Sequence, residues 1–465
     1  MTDNELENFW SLETLGITDP PNKTEDEEAM DQFEKSISWE NNRYQCNWPW
    51  KHNSDKLQNN FALSFGRLKT TIKKLKKNPG LLEAYQTTFS DQLKDGIIED
   101  VTNTIPNGPT YYMPHQAVIR PSNSTTKVRI VYDASSKTRK NDLCLNEILL
   151  KGPSLLPALC GILLRIRTDP ILISADVEKA FLQIALNENE RNVVRFLWLH
   201  DINKPPQYPN LRIFRFKRVP FGVISSPFIL NATILHHLHL TNTKVCEEIK
   251  NNIYVDNIFL TATDTDTAIR KGQEAQQIFA NANMNLRQFK SNDKKVVQTL
   301  MKRGEITENK DIISILGIKW NTNRDELTFT LQNFKAKVLT KRTYLSFVAS
   351  IYDPLGFLTP ITLPLKSFMQ NLWAKKYAWD QPLEEIDRKK VHTLLACLSN
   401  QEIRVSRQIN GALNWKNSPI QIHVFVDASS QAYAATAYLR LTTKENVHCS
   451  LLMSKNRITP VKGLK

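Results

Sequence analysis

The spacing of apolar and polar positions changes period several times along the 465 residues. From Phe61 to Lys77, the residues Phe61, Leu63, Leu68, Ile72 and Leu75 recur near helical spacing above a lysine-rich face. Asn78-Pro79-Gly80 ends that run. A second helical pattern covers about Leu81 to Leu93 and stops at Asp95-Gly96. From Tyr112 the period becomes two. His115 to Arg120 and Lys127 to Asp133 alternate as strands, and the Ser/Thr/Asn-rich stretch Pro121 to Thr126 between them predicts a hairpin. Lys127 and Arg129 fall on one face of the second strand, because strand side chains repeat every two residues.

Further along, Ile171 to Ala175 is a short apolar strand running straight into Asp176. A carboxylate at the end of a buried strand is a costly placement that points to a use. Arg212 to Lys217 alternates as a strand, Val219-Pro220-Phe221-Gly222 turns the chain, and Ser226 with Pro227 starts a helix. Ile249 to Ile253 and Ile258 to Thr261 flank Tyr254-Val255-Asp256-Asn257, which predicts strand, tight turn and strand with Asp256 at the tip. A helix follows at about Ala268 to Ala282. Ile312 to Trp320 and Glu326 to Leu331 predict a second hairpin across Asn321 to Asp325. The order strand, helix, strand, strand, helix, strand fits a ferredoxin-like α+β sheet. In such a sheet the end of the first strand and the tip of the central hairpin are neighbours, so Asp176 and Asp256 meet on one face.

Charge adds a partner class. Net charge is +14, yet residues 1–40 carry 12 acidic and 2 basic side chains, so the remainder carries +24. A basic body behind an acidic lead suits a polyanion. No apolar run approaches a membrane span, and the N-terminus lacks the basic region of a signal peptide; no membrane role and a cytoplasmic location are expected. Six cysteines at irregular spacing, with no Cys-x-x-Cys pair, predict reduced thiols. His236, His237 and His239 read as surface residues, and Trp39, Tyr44, Trp48 and Trp50 as the docking residues of an N-terminal extension.

Two facing carboxylates suit a pair of Mg²⁺ ions that clamp the attacking and leaving oxygens of a phosphoryl transfer. Mg²⁺ takes only a few carboxylates and fills its shell with water and substrate phosphates. Basic residues near an incoming triphosphate, such as Lys127 and Arg129, would neutralise developing charge.

These stretches resemble the reverse transcriptase of the BEL/Pao long-terminal-repeat retrotransposon Pol polyprotein. The resemblance is carried by Thr126-Lys-Val-Arg-Ile-Val-Tyr-Asp-Ala-Ser135, Ser174-Ala-Asp-Val-Glu-Lys-Ala-Phe-Leu-Gln-Ile184, Val219-Pro-Phe-Gly222, Tyr254-Val-Asp-Asn257 and Leu316-Gly-Ile-Lys-Trp320. It extends to Pro79-Gly-Leu-Leu-Glu83 and Ala349-Ser-Ile-Tyr-Asp-Pro-Leu-Gly356. It implies a right-hand polymerase with fingers, ferredoxin-like palm and thumb, followed by a truncated RNase H-like α/β domain. The implied divisions are an extension over 1–95, fingers and palm over 96–325, thumb and connection over 326–417, and the RNase H-like start over 418–465.

The resemblance also implies roles. Asp176 and Asp256 would bind both Mg²⁺ ions, with Mn²⁺ as a substitute, and Asn257 completes the catalytic turn. Phe181 would be the steric gate against a 2′-hydroxyl. Lys127 and Arg129 would touch the triphosphate of a deoxynucleoside triphosphate, and Phe221 and Gly222 would lie against the nucleotide. Lys290 would protonate departing pyrophosphate, Leu316 and Gly317 would grip the primer, and Asp427 would be the first RNase H metal ligand. Partners would be an RNA or DNA template with a primer, inside a virus-like particle if the element is intact. The basic run Lys335 to Arg342 reads equally as a contact for a duplex backbone or as a solvated helix face.

Three departures stand out. Asn257 occupies a place where the family usually has a second aspartate, so an inactive remnant that still binds nucleic acid is the alternative reading. The sequence stops at Lys465, which predicts no RNase H activity. No Asp-Thr-Gly or Asp-Ser-Gly triplet supports an aspartic protease.

Overall fold

The structure, a computed structural model, describes residues 24–51, 56–119, 128–301, 311–331, 334, 336–396, 402–410, 418–443 and 446–460. The chain divides into two compact units. The first holds residues up to 155, 179–240 and 281–284; the second holds 156–178, 241–280 and 285 onward.

In the first unit, helices Phe61–Leu75 and Pro79–Lys94 form where the apolar spacing predicts them. The Asn78 side chain accepts from the Leu81 amide and Pro79 opens the second helix. Strands His115–Ile119 and Val128–Tyr132 pair antiparallel, with Ala117 opposite Ile130. The predicted loop between them, with Lys127, lies outside the described residues. Strands Ile98–Asp100, Leu211–Phe216 and Arg195–Leu199 make a second sheet, with Leu211–Phe216 in the middle.

An aromatic core joins these parts. Tyr85, Phe89, His115, Tyr132, Phe196 and Trp198 stack within about 6 Å of one another. At its centre His115 is buried, with Nε2 2.8 Å from the Leu197 carbonyl and Nδ1 2.5 Å from the Tyr85 hydroxyl. A carbonyl only accepts, so Nε2 carries the proton and Nδ1 accepts from Tyr85. Burial drives the His115 pKa down to about 4, which keeps the ring neutral.

The aromatic N-terminal segment docks as expected, through Tyr44 and Trp48. Both are buried, while Trp39 remains half exposed. Trp50 donates its indole N–H to Glu190 at 2.7 Å. The surface reading of the histidines is corrected at His237, which is buried with Nδ1 2.9 Å from the Tyr44 hydroxyl. The apolar positions of helix Ser226–Thr241 run round its whole circumference, so periodicity could not tell its inner face from its outer one.

In the second unit, the first sheet has the order 253–254, 257–262, 171–177, 286–291, all antiparallel. In sequence terms this is strand two, three, one, four, the ferredoxin-like arrangement. Ile171–Val177 is central and almost wholly buried, which explains why apolar residues stand at neighbouring positions and do not simply alternate with polar ones. Two boundaries differ from expectation. Residues 249–252 end a helix, Lys244–Asn252, and the strand before the turn is only Ile253–Tyr254. Ile249 and Val245, four apart, pack inward with Cys246, so the short apolar run belongs to a helical face.

The expected strand over 312–320 is two strands, Ile312–Ile315 and Ile318–Asn321, folded at Leu316-Gly317. They continue into Glu326–Thr330 and Glu402–Ser406 as one sheet. Leu316 and Gly317 both have positive φ, 48° and 85°, the signature of a type I′ hairpin turn. A leucine in that conformation hid the turn from the sequence pattern. This sheet, helices Lys341–Ser350 and Thr359–Ala374, and palm residues Leu172 and Phe259 share one apolar core. A third sheet, 420–428, 432–442 and 447–458, places Asp427 opposite Ala434. Among the described residues no helix is long and apolar enough to cross a membrane, and the described cysteines are unpaired.

Candidate polymerase site

The hairpin tip and the central strand build the centre of the site. Tyr254 pairs with Asn257, so the two-residue turn is Val255-Asp256, with Asp256 in the turn as the sequence predicts. Val255 has φ 58° while Asp256 does not enter the left-handed region. Positive φ at the first turn position alone matches a type II′ turn, where glycine is the usual occupant. A β-branched residue there is strained. The turn is held from outside: the Val177 amide donates to the Asp256 carbonyl at 2.8 Å.

Asn257 lies directly opposite Asp176 in the strand register, and its Nδ2 donates to the Asp176 carboxylate at 3.3 Å. Asp176 is raised to about 6, first by burial and then by the Asp256 carboxylate; Arg287 and Lys290 pull it back down. Two carboxylates that repel one another in a partly buried place are oxygen donors that could hold a divalent cation such as Mg²⁺. The described residues contain no group of three or more His, Cys, Asp or Glu placed to hold a metal.

The Arg287 contribution was not legible in the sequence. Arg287 faces Asp176 and Lys290 faces Ser174 across the sheet. Three steps on one strand match two on the other, so one extra residue is inserted between them, and Gln288 takes φ 54° there. This β-bulge brings Arg287 and Lys290 to the Asp176 face, where plain alternation would have put them on opposite faces. Arg287 Nε stands 3.6 Å from Asp176 and Nη1 is 3.0 Å from Glu178.

In the other unit, Phe181 and Phe221 are in ring contact, with centroids 4.7 Å apart. Phe181 is buried in the short helix Ala180–Gln183, and Phe221 is 46% exposed. Gly222 has φ 95°, and a Cβ there would sit 2.4 Å from the Tyr132 carbonyl oxygen, so only glycine fits. That contact joins the Val219–Gly222 turn to the strand carrying Arg129, which is exposed.

The reading of the basic run Lys335 to Arg342 is corrected at Lys341, the first residue of helix Lys341–Ser350. Lys335 lies outside the described residues. Lys341 is buried; its ammonium donates to the Tyr377 carbonyl and sits 4.2 Å from the Trp373 ring and 4.9 Å from the Trp379 ring. It is satisfied by the carbonyl and by cation–π contact, and its burial leaves it little surface to offer a partner. Asp427 stands on an exposed edge strand.

The result is an antiparallel sheet of ferredoxin-like order with aspartates near the end of its central strand and in a hairpin turn. Residues 115–320 match the family described as reverse transcriptase (RNA-dependent DNA polymerase). Residues 340–465 match the Pao retrotransposon-like RNaseH-like domain. The chain therefore carries a reverse transcriptase domain followed by an RNase H-like domain of the Pao retrotransposon kind. Among solved structures it is similar to a foamy viral protease-reverse transcriptase (dRH) in complex with double-stranded DNA. The identity is 15%, the TM-score 0.52, and the match covers 82% of this chain and 56% of that one. A foamy viral protease-reverse transcriptase in complex with an RNA/DNA hybrid matches at 14% identity and TM-score 0.49, over 83% of this chain and 44% of that one. At 15% identity the likeness to the first is one of fold, and the chain spans little over half of that relative's length. No curated protein matches the sequence.

Proposed function

We propose that the chain is an RNA-directed DNA polymerase that extends a primer on RNA or DNA with deoxynucleoside triphosphates. The observation that carries this reading is the placement of Asp176 near the end of the central strand of a ferredoxin-like sheet and of Asp256 in the adjoining hairpin turn, where burial first and the Asp256 carboxylate second raise Asp176 to about 6. Asp176 and Asp256 would hold Mg²⁺. Bound there, it would supply positive charge against the carboxylates and the phosphate oxygens. The primer 3′-hydroxyl would lose its proton to solvent and attack the α-phosphate; the new O3′–P bond forms as the bond from the α-phosphorus to the bridging oxygen of the β-phosphate breaks, and pyrophosphate leaves.

The further roles are proposed for the chain's own residues. Lys127 and Arg129 receive the triphosphate, and Phe221 and Gly222 flank the nucleotide. Phe181 closes the space of a 2′-hydroxyl. Arg287 and Lys290 hold positive charge on the carboxylate face, with Lys290 as the proton donor to pyrophosphate. Leu316-Gly317 receives the primer. Residues 96–325 would serve as fingers and palm, and 326–417 as thumb and connection. In an intact element the work takes place in the cytoplasm, in a virus-like particle. RNase H cleavage and proteolysis form no part of the proposal.

One observation favours a second reading. Asn257 brings an amide rather than a carboxylate to Asp176, as suits an inactive remnant that still binds nucleic acid. Primer extension by the purified chain, in Mg²⁺ and in Mn²⁺, separates the two. Incorporation in either metal supports the polymerase, and a folded chain that binds primer–template yet extends nothing supports the remnant.

A further inference from the structure

The segment Ile351 to Leu358, between helices Lys341–Ser350 and Thr359–Ala374, has no role in the site as described so far. It is a rigid loop. The Asp353 carboxylate accepts from the Phe357 and Leu358 amides at 2.9 and 2.7 Å. The Pro354 carbonyl accepts from the Cys160 thiol at 3.2 Å. From the third sheet, the Ser454 amide donates to the Leu355 carbonyl at 2.8 Å. The Ser454 carbonyl lies so close to Gly356 that a Cβ there would come within 1.8 Å, and Gly356 has φ 75°.

From this fixed loop Tyr352 reaches the Leu316-Gly317 turn. Its hydroxyl donates to the Leu316 carbonyl at 2.8 Å. Its ring covers Gly317, where a Cβ would meet the ring edge at 2.8 Å. Leu316 is in the left-handed region, a conformation that persists only where neighbours enforce it. Tyr352 keeps 46% of its surface exposed, which a purely structural tyrosine would not need. It also lies within electrostatic reach of Tyr254, the first residue of the catalytic turn segment.

We infer that Tyr352 is a positioning residue: it fixes the Leu316-Gly317 turn, and through it the 3′ end of a primer, against a loop anchored on the RNase H-like sheet. This rests on the polymerase reading and extends it to a residue outside the fingers and palm.

The test compares the wild-type chain with Tyr352→Phe and Tyr352→Leu on a DNA primer–template carrying 2-aminopurine as the terminal primer base. Tyr352→Phe keeps the ring over Gly317 and loses only the hydroxyl bond. One lost hydrogen bond corresponds to about a fivefold shift in the fraction of seated primer ends. The expected result is that shift in terminal-base fluorescence, a larger one in Tyr352→Leu, and unchanged dissociation constant and melting temperature for Tyr352→Phe. Terminal-base fluorescence equal to wild type in both variants overturns the inference. So does a lowered melting temperature with no change at the terminus, which would make Tyr352 merely structural. The fluorescence needs binding alone, so a wild-type chain that extends no primer sinks the polymerase reading and leaves this one readable. Absence of primer–template binding removes both.

Discussion

Asn257 and Asp176 face one another across the antiparallel pair, and the amide of the first donates to the carboxylate of the second at 3.3 Å. The contact satisfies one oxygen of a carboxylate that already feels Asp256. It stabilises the metal-free protein with a neutral donor where a third negative charge would repel.

Replacing Asn257 by Asp exchanges that donor for charge. Without metal the variant should be less stable than the parent. With Mg²⁺ it should extend primers about tenfold faster if about 1.4 kcal/mol of transition-state stabilisation returns. The parent should work better in Mn²⁺, which binds such oxygen sites more tightly than Mg²⁺. Equal, absent extension by both folded proteins in both metals would favour the inactive remnant.

Asp176→Asn should abolish extension yet stabilise the metal-free fold at neutral pH. The Asp176 pKa is raised from 3.8 to about 6 by burial and by Asp256. Below about pH 4 the carboxyl is protonated whether folded or unfolded. Between about 4 and about 6 the unfolded chain has lost the proton that the folded one keeps, so stability falls as pH rises. Above about 6 the full penalty is present. Urea midpoints measured from pH 4 to pH 7 should show this fall in the parent and a flatter profile in Asp176→Asn. Parallel profiles would remove Asp176 from the repulsive pair.

Phe181→Ala should admit ribonucleotides, because the ring packed on Phe221 fills space. The ratio of deoxy- to ribonucleotide incorporation measures it. An unchanged ratio would make Phe181 a core residue only.

Binding to a primer–template should weaken steeply with salt, since the sequence beyond residue 40 carries +24 and phosphate contacts release counterions. Titrations at 50 and 200 mM salt test this; equal affinities would contradict it.

Arg407→Leu should cost roughly 3–5 kcal/mol of stability, as removing one partner of a buried ion pair does. Arg407 is fully buried, bonds Asp325 at 2.7 Å through both Nε and Nη2, and also donates to the carbonyls of Ile166, Asp169 and Pro170. Chemical denaturation of the variant would show the loss, and a midpoint within error of the parent would contradict it.

Local pattern was enough for much of this protein. The run Ile171 to Ala175 announced a buried strand, the spacing of Leu68, Ile72 and Leu75 a helix, and the element order a ferredoxin-like palm with Asp176 and Asp256 in one sheet. These follow from period and order, which each segment carries by itself. Three features were decided by the tertiary structure. Val255 and Leu316 take left-handed backbone conformations that their side chains disfavour, so only the strands and loops around them could reveal the turns. Arg287 joins the carboxylate face through a bulge, and a bulge changes alternation without leaving a mark in residue type. Lys341 was read as an exposed cation because charge is visible in sequence; that two tryptophans enclose it depends on chain segments more than 30 residues apart meeting in space.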